Sequence, residues 1–264
     1  MISPGSRLAV IIASLIVTAS GYALQFERPA TQRLSIVRLK FGTSERQAWI
    51  SAINNDSISK LSLMIEQFDP HEFLSETAEN GKTALMSACK KGDLDLARRL
   101  LDLGADVNAK TQTNGTPFMF AVLGGHLEVA RSLLDNGADI HVAGSNGWTA
   151  TTIAAAKGHV EILKWLVEQG ADPQVRDVYR STPLLRAVSN GFEQVAVYLL
   201  SLPDTDVDVQ DESDNTPLHY AVGAADLPII KLLVEHGADH TIENRKGQTP
   251  YAMDATFQSI FDAK

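Results

Sequence analysis

Two short apolar stretches alternate with polar turns along most of the chain, and residues 146–178 show this arrangement most completely. Within them, Ile153–Ala156 predicts a short helix of small residues. A second helix follows, in which apolar side chains recur at helical spacing and form one stripe: Val160, Ile162, Leu163, Leu166 and Val167. Neither helix is long enough to be stable alone, and neither can bury its apolar face within one unit. The pattern therefore predicts helix pairs that stack on further helix pairs.

The same pattern recurs at offsets of 33, 33, 33, 34 and 33 residues. One threonine in each copy marks the period, and we call these residues the ruler threonines: Thr83, Thr116, Thr149, Thr182, Thr216 and Thr249. A glycine stands nine residues after each of the first four, and Ala225 holds that place in the fifth copy. A constant period of this length is typical of solenoids, in which each unit packs only on its neighbours.

These motifs resemble the ankyrin repeat. The resemblance is carried by the ruler threonines, by the glycines that follow the first helices, and by a Gly-Ala-Asp triplet that closes the copies at Gly104, Gly137, Gly170 and Gly237. It covers about residues 80–252. It implies an all-α repeat solenoid, an ankyrin-like stack of helix-turn-helix units with β-hairpin fingers. It also implies a concave groove lined by the fingers and the first helices.

The fingers need one residue that tolerates positive φ, two places before each ruler threonine. Glycine, asparagine or aspartate stands there in every copy except the fourth, which has Arg180. The hairpin at Val178–Ser181 is therefore the one that the sequence pattern supports least.

The chain divides into four predicted parts. Residues 1–23 form a signal peptide or a membrane anchor, and residues 24–44 form a basic linker. Residues 45–79 predict a capping pair of helices, since the end unit of a solenoid covers one apolar face and presents a polar one. Residues 80–264 hold five full copies and a short C-terminal cap.

The N-terminal segment has two interpretations that the sequence leaves open. Leu8–Thr18 is an uncharged run after Arg7 and before several small residues, which is the pattern of a cleaved export signal. Extended to Leu24, the run reaches about 17 residues, the lower limit for an uncleaved membrane-spanning helix. The repeats are thus expected in the periplasm or secreted, or alternatively on a single-pass membrane anchor.

Charge changes sign along the chain. Residues 1–44 carry a net charge of +4 and residues 45–264 a net charge of −13, which together give −9. The acidic body disfavours nucleic acid and favours a partner with a basic surface, unless the acids only keep the stack soluble. Six acids lie within Asp204–Asp214, but Val209 and Asn215 occupy the places where a calcium loop needs glycine and glutamate. A calcium-responsive element is therefore only an alternative.

No constellation of residues predicts catalysis, a cofactor or a metal site. His126, His159 and His219 stand at repeat positions where a ring nitrogen would bond to backbone, and Gly237 separates His236 from His240. The single cysteine, Cys89, is expected to be a buried small residue.

Function is therefore expected on a surface, through binding of another protein in the groove. The repeat register assigns seven residues to that surface: Phe120, Leu123, Trp148, Ile153, Tyr179, Arg186 and Tyr220. Apolar residues gathered in a groove favour a partner over solvent. Regulation or inhibition of a separate enzyme is a second form of the same hypothesis.

Overall fold

The structure, a computed structural model, describes residues 41–262. Helices α1 (Thr43–Asn54) and α2 (Ile58–Gln67) come first, and a 3₁₀ helix follows at Pro70–Glu72. Six helix pairs then occupy the rest: α3 (Ala84–Lys91) with α4 (Leu94–Asp102), α5 (Pro117–Gly124) with α6 (Leu127–Asp135), α7 (Ala150–Lys157) with α8 (Val160–Glu168), α9 (Pro183–Ser189) with α10 (Glu193–Leu200), α11 (Pro217–Gly223) with α12 (Leu227–Glu235), and α13 (Pro250–Met253) with α14 (Gln258–Phe261). We call the first helix of each pair inner and the second outer.

The ruler threonines set the start of every inner helix. Each threonine hydroxyl accepts a hydrogen bond from the backbone N–H three residues later, as Thr83 does from Met86 at 3.2 Å and Thr249 from Ala252 at 3.1 Å. Such a cap satisfies one of the free N–H groups of the first turn and stabilises a helix by about 1 kcal/mol. Local sequence thus defines where each unit begins.

Glycines end the first three inner helices. Gly92, Gly125 and Gly158 adopt left-handed φ angles of 76°, 80° and 75°. The ring of His159 lies so close to Gly125 that an added Cβ would be 2.8 Å from the imidazole. Glycine is needed here for its left-handed backbone and for the close approach of the next copy.

The helix pairs stack in series around one continuous core. Each inner helix packs on the inner helix of the next copy, and outer helices pack in the same way at α4–α6, α8–α10, α10–α12 and α12–α14. Between α6 and α8, the Arg131 guanidinium lies over the Trp165 ring, 5.1 Å from its centroid. The buried cluster extends from Trp49 in α1 to Phe261 in α14, and includes Leu100, Leu133 and Leu163 from successive outer helices. This arrangement is the all-helical solenoid that the sequence predicts.

The fingers are turns, and the β-hairpin form implied by the resemblance is not confirmed. Residues 41–262 contain no extended β-strand. Each finger is a five-residue loop closed by two backbone bonds, one from its first N–H to its fifth carbonyl and one from its fourth N–H to its first carbonyl: Ala78–Lys82, Thr111–Gly115, Gly144–Trp148, Asp177–Ser181, Asp211–Asn215 and Asn244–Gln248. Successive fingers share a single backbone bond, such as Val178 N–H to the Asn146 carbonyl at 3.1 Å. One bond per step is too few for a sheet ladder.

The N-terminal pair is fastened to the first copy by a buried ion pair. Lys82, in the first finger, donates to the Ile53 carbonyl at 3.0 Å and pairs with Asp56, which Lys90 also contacts at 3.0 Å. Burial favours the neutral acid, but the bonds from Lys82 and Lys90 outweigh it and lower the pKa of Asp56. The carboxylate therefore joins α1 to α3.

The predicted signal or anchor (1–23) lies outside the described residues, as does the linker up to residue 40. The last two residues predicted for the linker, Thr43 and Ser44, belong to α1. Within residues 41–262, no helix has the length and apolar character needed to cross a membrane.

Candidate functional site

We call the surface formed by the fingers and the inner helices the groove. Near the fifth copy the groove contains a depression of about 380 Å³, and the residues that line it show which parts of the fold form the groove. Finger residues Asn215 and Lys246 line one side of it, and Tyr220, Gly223 and Ala224 of α11 and its C-cap line the other. These last three residues stand four, seven and eight places after the ruler threonine Thr216. We call these positions of every inner helix the floor of the groove.

A buried carboxylate organises the middle of the groove. The side chain of Asp177 is fully buried and accepts five hydrogen bonds. Its Oδ1 atom accepts the backbone N–H groups of Tyr179 and Ser181, both at 2.9 Å. Its Oδ2 atom accepts the indole N–H of Trp148 at 3.1 Å and two bonds from the Arg186 guanidinium. Asp177 thus fixes the finger, the aromatic ring and the cation together.

The Arg186 guanidinium lies over two aromatic rings. Its central carbon lies 5.2 Å from the ring centroid of Trp148 and 5.9 Å from that of Tyr179. Cation–π contacts of this kind contribute about 0.5–1 kcal/mol each at partly exposed sites. Tyr179 remains 48% exposed and the adjacent Val178 58% exposed. The result is a rigid aromatic surface with one ring open to solvent.

A similar contact occurs one copy later. Asp211 accepts the backbone N–H groups of Ser213 and Asn215 at 2.8 and 3.0 Å, and the hydroxyl of Tyr220 donates to its other oxygen. Burial and the bond to this carboxylate raise the pKa of Tyr220 to about 12. Sequence reasoning missed Asp177 and Asp211, although both stand five places before a ruler threonine. That shared position was the available signal.

The residues assigned from sequence do not all lie on the surface. Phe120 and Leu123 are half-buried on α5 and pack against the core. Ile153 is only 6% exposed and belongs to the core itself, so its assignment to the groove is corrected. Ile153 is covered because α7 packs between α5 and α9. The residues at the equivalent position of these two helices, Phe120 and Arg186, have longer side chains.

The histidines have structural roles. His219 Nδ1 accepts the Thr216 N–H at 3.1 Å, so Nε2 carries the proton and donates to the Gln248 carbonyl at 2.9 Å. Burial lowers the pKa of His219, which keeps the ring neutral. His126 bonds through Nε2 to the Lys90 carbonyl at 3.1 Å.

Neither Cys89 nor the acidic loop is arranged as a reactive or metal-binding site. Cys89 is buried, and burial raises the pKa of its thiol. The acids of Asp204–Asp214 do not converge, since Asp206 and Asp211 each accept backbone N–H groups of their own turns. Across residues 41–262, no group of three or more His, Cys, Asp or Glu is placed to hold a metal ion.

Capped helix pairs, one serial core and a finger-lined groove define an α-helical repeat solenoid. A sequence profile described as Ankyrin repeats (3 copies) matches residues 49–144, 139–211 and 184–263. The chain belongs to the ankyrin repeat family, as its motifs indicate.

Curated relatives match only part of this chain. It is 38% identical over 79 residues to Rabankyrin-5 of Homo sapiens, which covers 30% of this chain and 7% of that protein. It is 34% identical over 86 residues to Alpha-latrotoxin-Lg1a of Latrodectus geometricus, which covers 31% of this chain and 6% of that protein. The matches span less than a tenth of these relatives, so the similarity concerns the repeats.

Proposed function

We propose that this chain is a non-enzymatic binding module that holds a partner protein in its groove. Ankyrin repeats generally mediate protein–protein interaction and are generally not catalytic. The proposed contact surface consists of the groove residues that remain accessible: Phe120, Leu123, Trp148, Tyr179, Arg186 and Tyr220.

One observation carries this proposal, the cluster of Trp148, Tyr179 and Arg186 around Asp177. Tryptophan, tyrosine and arginine are the residue types most enriched among binding hot spots. Their positions are fixed before binding, so little side-chain entropy is lost when a partner arrives. The exposed face of Tyr179 makes no contribution to the core, which favours a role in recognition.

The test is capture of partners by the full chain and by a Tyr179→Ala variant. We expect the variant to fold normally, because the ring is 48% exposed. We expect at least a tenfold loss of affinity for a groove partner, since truncation of a hot-spot residue costs about 2 kcal/mol or more. Binding would be measured by calorimetry with each partner identified by mass spectrometry.

A matched control is Val197→Ala on the outer helix α10, because Val197 is 45% exposed and lies away from the fingers. Partners whose affinity falls with both variants, or with neither, would show that binding does not use the groove.

Two finer features belong to the same proposal. Regulation of a separate enzyme would be one use of the groove, with that enzyme as the captured partner. Export or membrane anchoring through residues 1–23 is supported by the sequence pattern alone. Cell fractionation with determination of the mature N-terminus tests it, and a mature chain found in the cytoplasm with Met1 retained would contradict it.

A further inference from the structure

Charge is segregated between the two layers of helices. The six inner helices contain no Asp or Glu, although the chain has 32 such residues. They contain four basic side chains: Lys90, Lys91, Lys157 and Arg186. The outer helices α4 to α12 carry a net charge of −3, from five bases and eight acids: Arg98, Arg99, Arg131, Lys164 and Lys231 against Asp95, Asp102, Glu128, Asp135, Glu161, Glu168, Glu193 and Glu235. The six fingers carry five acids and four bases, so the fingers and inner helices together have a net charge of +3, although the whole chain has −9.

Two of these lysines are free to meet a ligand. Lys91 and Lys157 are exposed and make no ion pair with any residue of 41–262. Both stand eight places after a ruler threonine, the position at which Ala224 lines the depression of the fifth copy. By the repeat register they belong to the floor.

The other two basic groups on the floor already have partners. Lys90 shares Asp56 with Lys82, and this cluster of two ammonium groups and one carboxylate retains one positive charge. Arg186 is balanced by Asp177. The uncompensated positive charge of the floor therefore comes from the Lys90 cluster, Lys91 and Lys157.

Apolar side chains lie between the free lysines. Helix α5 packs between α3, which ends in Lys91, and α7, which ends in Lys157, and it carries the half-buried Phe120 and Leu123 at floor positions. Neighbouring inner helices are about 10 Å apart, so Lys91 on α3 and Lys157 on α7 are separated by about 20 Å. The distance from α3 to α9, three inner helices further along the stack, is about 30 Å. An extended segment of about nine residues covers that length.

Screening by salt limits the distance over which charged side chains act on a ligand in the groove. The outer helices lie about 10 Å further away, which is beyond the Debye length of about 8 Å at physiological ionic strength. A chain in contact with the floor therefore experiences the lysines more strongly than the acids of the outer layer. At longer range the acidic body slows the approach of an anionic partner, so the attraction acts on the bound state.

We propose that the groove takes an acidic, extended segment of a partner protein, with carboxylates on both sides of a bulky apolar side chain. The apolar side chain contacts Phe120 and Leu123, and the carboxylates pair with the Lys90 cluster, Lys91 and Lys157. This rests on the proposed function and assigns the chemistry of the partner, which is opposite to the basic surface suggested by net charge.

The experiment is selection of a displayed library of random twelve-residue peptides on the full chain, without a target chosen in advance. Selected peptides are synthesised and titrated by fluorescence anisotropy against four proteins: wild type, Tyr179→Ala, Lys91→Glu/Lys157→Glu and Arg98→Glu/Lys231→Glu. The last variant makes the same change of charge at two exposed residues of the outer layer.

We expect peptides rich in Asp and Glu around an aromatic or aliphatic residue. Their affinity should fall at least tenfold in Lys91→Glu/Lys157→Glu at 50 mM salt and less at 300 mM salt, and stay unchanged in Arg98→Glu/Lys231→Glu.

Basic or uncharged peptides that still lose affinity in Tyr179→Ala would overturn this inference and leave the proposed function standing. Peptides insensitive to Tyr179→Ala and to both charge variants, or no selected peptide at all, would overturn both. Competition of the acidic peptides by a ten-nucleotide single-stranded DNA at equal concentration would show an unspecific anion site and overturn the inference.

Discussion

At the scale of single residues, the turns impose left-handed φ angles even where the residue is not glycine. Arg180 adopts a φ of 57°, in the same left-handed region as Gly147 at 78° in the preceding finger. The fourth finger is therefore regular despite its arginine, whose side chain pairs with Asp214 at 3.4 Å. Ala225 also has a left-handed φ, of 54°, in place of the glycine found in the earlier copies. Both residues carry strain that glycine would relieve.

Ala225→Gly is expected to raise the free energy of unfolding by about 1 kcal/mol. A left-handed alanine costs about 1–2 kcal/mol, and the extra entropy of an unfolded glycine returns about half of that. The measurement is urea unfolding followed by circular dichroism. The control is Ala224→Gly, where φ is −90° and the same chemical change should lower stability. Equal shifts in both variants would refute the assignment of strain to position 225.

At the scale of elements, side chains at fixed repeat positions join each helix to the next copy. His219 connects the first turn of α11 to the Gln248 carbonyl in the last finger. This contact requires a neutral ring. Nδ1 accepts the Thr216 N–H, and a proton on Nδ1 would replace that hydrogen bond with two donors facing each other. The junction between the fifth copy and the C-terminal cap is therefore sensitive to acid.

Protonation of His219 should destabilise the fold. Since its pKa is lower in the folded chain than in the unfolded one, the unfolded chain binds more protons, and stability is lost as pH falls below about 6.5. Stability of the wild type is expected to drop between pH 7 and pH 5 more steeply than that of His219→Gln. Unfolding curves at four pH values measure this difference, and parallel slopes in the two proteins would contradict it.

At the scale of the whole molecule, stability is shared between neighbours in a linear stack. Leu163 is fully buried in the third copy, with further copies on both sides. Phe261 belongs to the last helix, where it stacks on His240 with ring centroids 5.1 Å apart. A central residue supports two interfaces and a terminal one supports only the end.

Leu163→Ala is expected to lower the free energy of unfolding by about 3 kcal/mol and to increase hydrogen exchange in copies on both sides. Phe261→Ala should increase exchange only in α12, α13 and α14. Hydrogen exchange followed by mass spectrometry separates the two patterns. If Phe261→Ala increased exchange equally in α3, the stack would be behaving as one cooperative unit.

The sequence by itself determined the period, the helix pairs and their starting points. These features depend on contacts within a few residues, such as the bond from Thr83 to the N–H of Met86, so the local order of residue types is enough to predict them. The sequence also predicted Trp148, Tyr179 and Arg186 for the groove, since two of them stand just before a ruler threonine and Arg186 stands four places after one.

Only the tertiary structure decided which of these side chains are accessible and what holds them. The burial of Ile153 depends on the side chains of two other copies, and the bond from Trp148 to Asp177 joins residues 29 positions apart. The fingers are five-residue turns joined to their neighbours by one backbone bond, so their β-hairpin form is not confirmed. Such contacts between copies are set by how the stacked helices pack, and a repeating pattern of residue types does not contain that geometry.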